Sequence, residues 1–107
     1  MSGLDDIIHQ PIRLKIMAAL NALPSGEAIE FVRLKSIVAT TDGNLGAHIA
    51  MLEQAAYVTV TKDFNGKKPR TRIAMTRGGR RAFVQHVAYL RGILDGDLTK
   101  DTPVGER

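Results

Sequence analysis

The 107-residue chain has no cysteine and no tryptophan. Without cysteine, disulfides and thiolate metal sites are excluded, and the redox compartment stays undetermined. Long hydrophobic runs are missing too, and none approaches the ~20 residues that span a bilayer. Asp5 and Asp6 stand where a signal peptide carries basic residues, and the segment from Met1 to Ile8 is too short and polar to be one. A cytoplasmic protein with no membrane partner is the expectation. Enzyme signatures are also lacking. There is no nucleophile motif, and Gly78-Gly79 lacks the spacing of a phosphate-cradling loop. The three histidines, His9, His48 and His86, lie far apart in the chain. Neither catalysis, a cofactor nor a metal site is expected from these residues.

What is present suits one soluble domain with a single core. The chain is 44% hydrophobic and 24% charged, ordinary values for a globular protein. Its net charge of +4 is unevenly spread. Residues 57–81 carry Lys62, Lys67, Lys68, Arg70, Arg72, Arg77, Arg80 and Arg81 against Asp63 alone, a net of +7 that leaves −3 for the remainder. Such a block fits a polyanion partner, or a solvated surface that happens to be cationic.

The most informative stretch is 40–55. It opens with hydroxyl and carboxamide side chains, which cap helices by accepting from their free N–H groups. Leu45, Ile49 and Leu52 then recur at i, i+4 and i+7, the spacing of one buried stripe. At about 100° per residue, Gly43, Asn44, Ala47, Met51 and Gln54 fall opposite. That face is short and uncharged where a solvated helix usually carries Lys and Glu. It reads as a surface smoothed for close approach, and the major groove of DNA is the working hypothesis.

Upstream, Leu4 to His9 reads as a short helical turn, and Pro11 suits the first turn of the next helix. Ile12, Ile16, Ala19, Leu20 and Leu23 form its stripe, ended by Pro24-Ser25-Gly26. Ile29 fits a small strand. Glu30 to Val38 gives a second short helix with Phe31, Leu34, Ile37 and Val38 as its buried side. About four residues separate it from the 40–55 helix, the spacing of a helix-turn-helix.

Downstream, Tyr57 to Thr61 and Thr71 to Thr76 alternate as strands. Between them, Lys62 to Arg70 reads as a basic loop with Asn65-Gly66 at its tip. Thr76 is a plausible cap for a last helix from about Arg77 to Leu94. That helix carries two stripes: Phe83, Val87, Leu90 and Leu94, and separately Ala82, Tyr89 and Ile93. A helix packing only on its own domain needs one, so the pair suggests a homodimer. The domain is expected to span 1–95, with 96–107 a disordered polar tail.

The element order is that of a mainly α winged helix-turn-helix with a small β-hairpin and a C-terminal dimerisation helix. Thr41-Asp42-Gly43-Asn44-Leu45, His48-Ile49 and Leu52-Glu53 resemble the recognition helix of bacterial winged-helix regulators. Ala55-Ala56-Tyr57-Val58, Gly66 to Thr71 and Thr76 to Arg80 continue the likeness, and His9 to Leu14 is similar to the start of the first long helix. The group resembled is the compact winged helix DNA-binding domain proteins related to MarR- and ArsR-type transcriptional regulators. The resemblance implies homodimers on roughly palindromic operators in double-stranded DNA. The 40–55 helix would enter the major groove, and the wing at 62–72 would lie on the backbone or minor groove. Two departures stand out: Gly46 where Ser is common, and Ala56 where Gly commonly ends the helix.

The expected DNA contacts are Thr41, Gly43, Asn44, Ala47, His48 and Met51 on the helix, and Lys62, Asn65, Lys67, Lys68, Arg70 and Arg72 on the wing. Asn44 can pair bidentately with adenine, or instead serve the helix start. Ala47 and Met51 offer apolar contact only. His48 lies beside the buried stripe, to touch phosphate or to pack there. Arg77, Arg80 and Arg81 begin a helix whose dipole opposes them, so DNA backbone or a partner's acids would favour them. The alternative function is a winged helix for protein or RNA contact. Any small-molecule effector is invisible in the sequence.

Overall fold

A computed structural model describes residues 5–96; Leu4 and the expected tail beyond Gly96 lie outside them. Helix α1 (Pro11–Asn21) starts as its sequence requires, with Pro11 in its first turn and Gln10 accepting the Arg13 backbone N–H at 3.0 Å. Strand β1 (Ala28–Glu30) leads directly into α2 (Phe31–Val38). Three residues later α3 (Asp42–Gln54) begins. Strands β2 (Val58–Asn65) and β3 (Lys68–Met75) form the hairpin, and α4 (Arg77–Leu94) closes the fold.

The sheet is antiparallel in the order β1-β3-β2. Ile73 on the central strand sits opposite Ile29 on one side and Val60 on the other. It is fully buried, beneath a core built from Ile16, Leu20, Leu34, Leu45 and Leu52. The α3 stripe is buried as its spacing predicts: Leu45, Ile49 and Leu52 all reach the core. On α2 the expectation fails at one position. Leu34 and Val38 are buried, but Ile37 is 52% exposed. It lies about 100° around the helix from Val38, on the side that α1 and the sheet leave uncovered.

The hairpin also differs from the expected loop. Pairing continues through the basic segment to Asn65 opposite Lys68, so Lys62 to Arg70 is strand apart from a two-residue turn, Gly66-Lys67. Of these two only Gly66 takes a positive φ, at 67°, the pattern of a turn whose twist matches the strands. Strands of eight residues at ~3.3 Å each extend the wing about 25 Å.

Ala56 ends α3 in the way glycine commonly does. It adopts φ 64°, the left-handed geometry usually left to glycine. The Tyr57 N–H reaches the Leu52 carbonyl at 2.9 Å, and the Ala56 N–H reaches that of Glu53 at 2.9 Å. Those two bonds make a complete Schellman end. Thr76 caps α4 as expected, accepting the Gly79 N–H at 2.9 Å while its hydroxyl donates to the Ala56 carbonyl at 2.7 Å. One residue therefore starts α4 and ties it to the end of α3.

Candidate nucleic-acid interface

Helix α3 is oriented by its buried stripe and held at its start by two local contacts. Thr41 Oγ1 accepts the Asn44 backbone N–H at 3.2 Å. Lys35 of α2 reaches the Asp42 carboxylate at 2.8 Å across the tight turn, and both side chains remain solvated. Asp42 in the first turn also complements the helix dipole. The Asn44 N–H is capped by Thr41, and its exposed carboxamide has no hydrogen-bond partner among the described residues. Gly43, Ala47, Ala50 and Met51 are exposed beside it. This is an uncharged helix face about three turns long, with the Asn44 carboxamide near its start and that of Gln54 at its far end.

His48 is set at the margin of that face by a residue distant in the chain, Arg13. Arg13 of α1 donates from Nη1 to His48 Nδ1 at 3.1 Å and reaches Met51 Sδ at 3.5 Å, while its Nε–H bonds the Ile7 carbonyl. A guanidinium only donates, so Nδ1 accepts and the imidazole proton lies on Nε2. Burial pushes the His48 pKa down, and the Arg13 charge lowers it further. His48 is therefore a neutral Nε2–H donor near pH 7, a form suited to a phosphate oxygen. Arg13 itself brings positive charge to the edge of α3. Its position off the α1 stripe was legible, but nothing in the spacing says which helix it crosses.

The wing sorts its cations into two groups. Asp63 stands opposite Arg70 in the pairing register. Its Oδ1 accepts from Arg70 Nε at 2.9 Å, and its Oδ2 accepts from Arg70 Nη2 at 3.0 Å and Arg72 Nη2 at 2.7 Å. The Arg70 hydrogen bonds hold the Asp63 carboxyl below the usual range, and its carboxylate raises Arg70 in turn. Arg70 and Arg72, expected as phosphate contacts, are thus committed to one acid within the hairpin. Lys62, Lys67 and Lys68 are exposed and make no ion pair among the described residues. They and the exposed Asn65 form the available polar surface near the wing tip.

Arg80 is also engaged internally. Its Nη1 donates to the Asn21 side-chain oxygen at 2.8 Å and to the Asn21 carbonyl at 3.3 Å, latching α4 to the end of α1. With Arg77 and Arg81 it lines a groove of about 760 Å³ beside Ser25 and Gly26, at the base of the wing rather than its tip.

A polar cluster fastens the other end of α3. Asp5 accepts the Tyr57 hydroxyl at 2.6 Å and the N–H groups of Ile7 and Ile8 at 2.9 and 3.0 Å. Its own N–H donates to His86 Nδ1 at 3.1 Å. The Asp5 hydrogen bond pushes the Tyr57 pKa up to about 12. Burial lowers that of His86, partly offset by Asp5. His9 lies near enough to His86 to lower its pKa further, whereas His48 sits with Arg13, and among the described residues no group of three or more side chains could hold a metal ion. Nor is any described helix long and apolar enough to cross a membrane.

On α4, Phe83 is buried within the chain's own core, and Ala82 and Val87 pack on it. Tyr89 and Leu90 are half-buried, while Val84, Ile93 and Leu94 are exposed, Leu94 at 83%.

Residues 12–94 match the family described as winged helix DNA-binding domain. An uncharacterized protein of Methanocaldococcus jannaschii is 36% identical over 81 residues, covering 76% of this chain and 85% of that protein. Among solved structures, that of a transcriptional regulator homologue from Pyrococcus horikoshii OT3 superposes with a TM-score of 0.76 at 29% identity, covering 84% of this chain and 86% of the other.

Proposed function

The chain belongs to the winged helix DNA-binding domain family, and on that premise we propose that it is a sequence-specific transcriptional regulator, a homodimeric repressor without enzymatic activity. Helix α3 enters the major groove, and Asn44 reads a base edge there, an adenine by preference. Thr41, Gly43, Ala47, His48 and Met51 line the approach. Lys62, Asn65, Lys67 and Lys68 engage the backbone or minor groove beside it. The exposed Val84, Ile93 and Leu94 of α4, with Tyr89 and Leu90, meet a second copy.

The observation that carries this reading is the free Asn44 carboxamide on an uncharged helix face beside a lysine-tipped wing. Titration of random duplex DNA at two salt concentrations tests it. Binding that weakens steeply with salt is expected, because cations on DNA displace condensed counterions. Absence of binding even at low salt would leave a protein- or RNA-binding module as the better account.

A further inference from the structure

Phe64 is 67% exposed, and it is the one exposed aromatic among the five of the chain. A lone exposed apolar residue is unremarkable, but this one has a specific setting. Val58, Val60, Lys62 and Phe64 alternate onto one face of β2, opposite Met75, Ile73, Thr71 and Pro69 on β3. That face begins in the core, where Val58 and Ile73 are buried, and runs out along the wing. Midway, Val60, Lys62 and Thr71 share a groove of about 640 Å³ with Gly46, Ala50 and Glu53 of α3. The sheet face that borders α3 therefore carries an apolar step, Phe64 against Pro69, past the end of the core. Asp63, Arg70 and Arg72 lie on the opposite face, closed upon each other.

We propose that Phe64, backed by Pro69, is an apolar wedge that enters the minor groove of duplex DNA and bends it while Lys62, Lys67 and Lys68 neutralise the flanking phosphates. The inference rests on the DNA-binding reading above and adds to it a contact and a deformation. Three features favour DNA as the occupant. The step lies on the α3 side of the wing. It is bracketed by lysines with no acid of their own. It also stands at the end of a hairpin stiffened by the Asp63 bridges, so it resists being pushed aside. Apolar side chains inserted between base steps kink a duplex by roughly 20–90°. The energy of that deformation depends on the sequence deformed. A wedge would thus supply selectivity that a helix with one strong base reader lacks.

The test is a bend measurement on the full chain. End-to-end energy transfer is recorded on a dye-labelled duplex of about 30 base pairs with a flexible pyrimidine–purine step at its centre, with wild type, Phe64→Ala and Lys67→Ala. Circular dichroism confirms that each variant is folded. The wild type is expected to shorten the end-to-end distance. Phe64→Ala should bind about tenfold more weakly with an unchanged salt slope and a straightened duplex. Lys67→Ala should lower the salt slope and keep the bend. A straight duplex in the wild-type complex overturns the wedge, as does a Phe64→Ala complex that binds and bends like wild type. If the wild type binds no duplex, the DNA reading itself falls, an outcome distinct from both.

Discussion

Asp63 grips Arg70 across the wing through two parallel N–H···O bonds, and the same carboxylate also takes Arg72. The wing, residues 62–72, therefore holds two of its five cations within itself. The fork geometry of a guanidinium makes the pair a brace as well as a neutralised charge.

That division predicts unequal effects on DNA affinity. Lys67→Ala should lower the slope of log K against log salt by about one, and Arg70→Ala by less. Asp63→Asn should steepen the slope, because it releases cations now held by the acid. Binding isotherms at several salt concentrations read all three. Equal slope changes for Lys67→Ala and Arg70→Ala would show that the bridge opens on DNA.

Asn44→Ala should relax discrimination at one base pair by roughly 1–3 kcal/mol and leave thermal stability unchanged, since its carboxamide bonds nothing among the described residues. Selection of preferred sites from a random duplex pool, for wild type and variant, would reveal that position. Identical preferences would remove Asn44 as a base reader.

Two backbone positions near the end of α3 call for opposite substitutions. Ala56, at φ 64°, should be improved by glycine: Ala56→Gly is expected to stabilise by about 1 kcal/mol, raising Tm by roughly 4–8 °C in a domain of this size. Gly79 is the reverse case. A Cβ there would press on the Tyr57 carbonyl, 2.9 Å from its carbon. Gly79→Ala forces α4 away from that strand start and should destabilise by several times as much. Thermal melts of both variants settle the comparison.

Stability should fall with acid through the histidines. Burial lowers the folded-state pKa of His86 and of His48 from the ordinary 6.5. Between that depressed value and 6.5 the unfolded chain binds more protons, so stability rises with pH there. The contribution is complete above 6.5 and is lost as pH drops through the folded-state pKa. For His86, protonation also replaces the acceptor of the Asp5 N–H with a donor. The facing ionisable groups are Asp5 and His9. Denaturant midpoints between about pH 7.5 and 5.5 should decline in wild type and decline less in His86→Gln.

The parts of this architecture governed by local rules were readable in advance. The Leu45–Ile49–Leu52 stripe, the caps at Thr41 and Thr76, and Pro11 at the head of α1 follow from spacing and residue chemistry, and each lies where the sequence places it. What escaped depends on pairs distant in the chain. Residues 62–70 look like a loop because Lys, Asp, Asn, Gly and Pro have low strand propensity; a partner strand in register overrides that. The Arg13–His48 contact spans 35 positions, and the Asp5–His86 contact spans 81. No periodicity reports such meetings. Ile37 departs from its stripe because a short helix can present apolar residues over more of its circumference than its neighbours cover.

Gly43 and Gly46 have a consequence for how this protein can change. A Cβ added at either position meets nothing within 4 Å, and neither has a positive φ. Replacing them should even favour the helix, by up to about 1 kcal/mol each. The buried side of α3 therefore places no demand on them: Gly43 amounts to a blank slot in the reading surface, and Gly46 to one at its edge, in the groove toward the wing. New side chains can be tried there one at a time without passing through a misfolded intermediate. A lineage, or a designer, could retarget the protein to another site by filling those slots and leaving the scaffold alone.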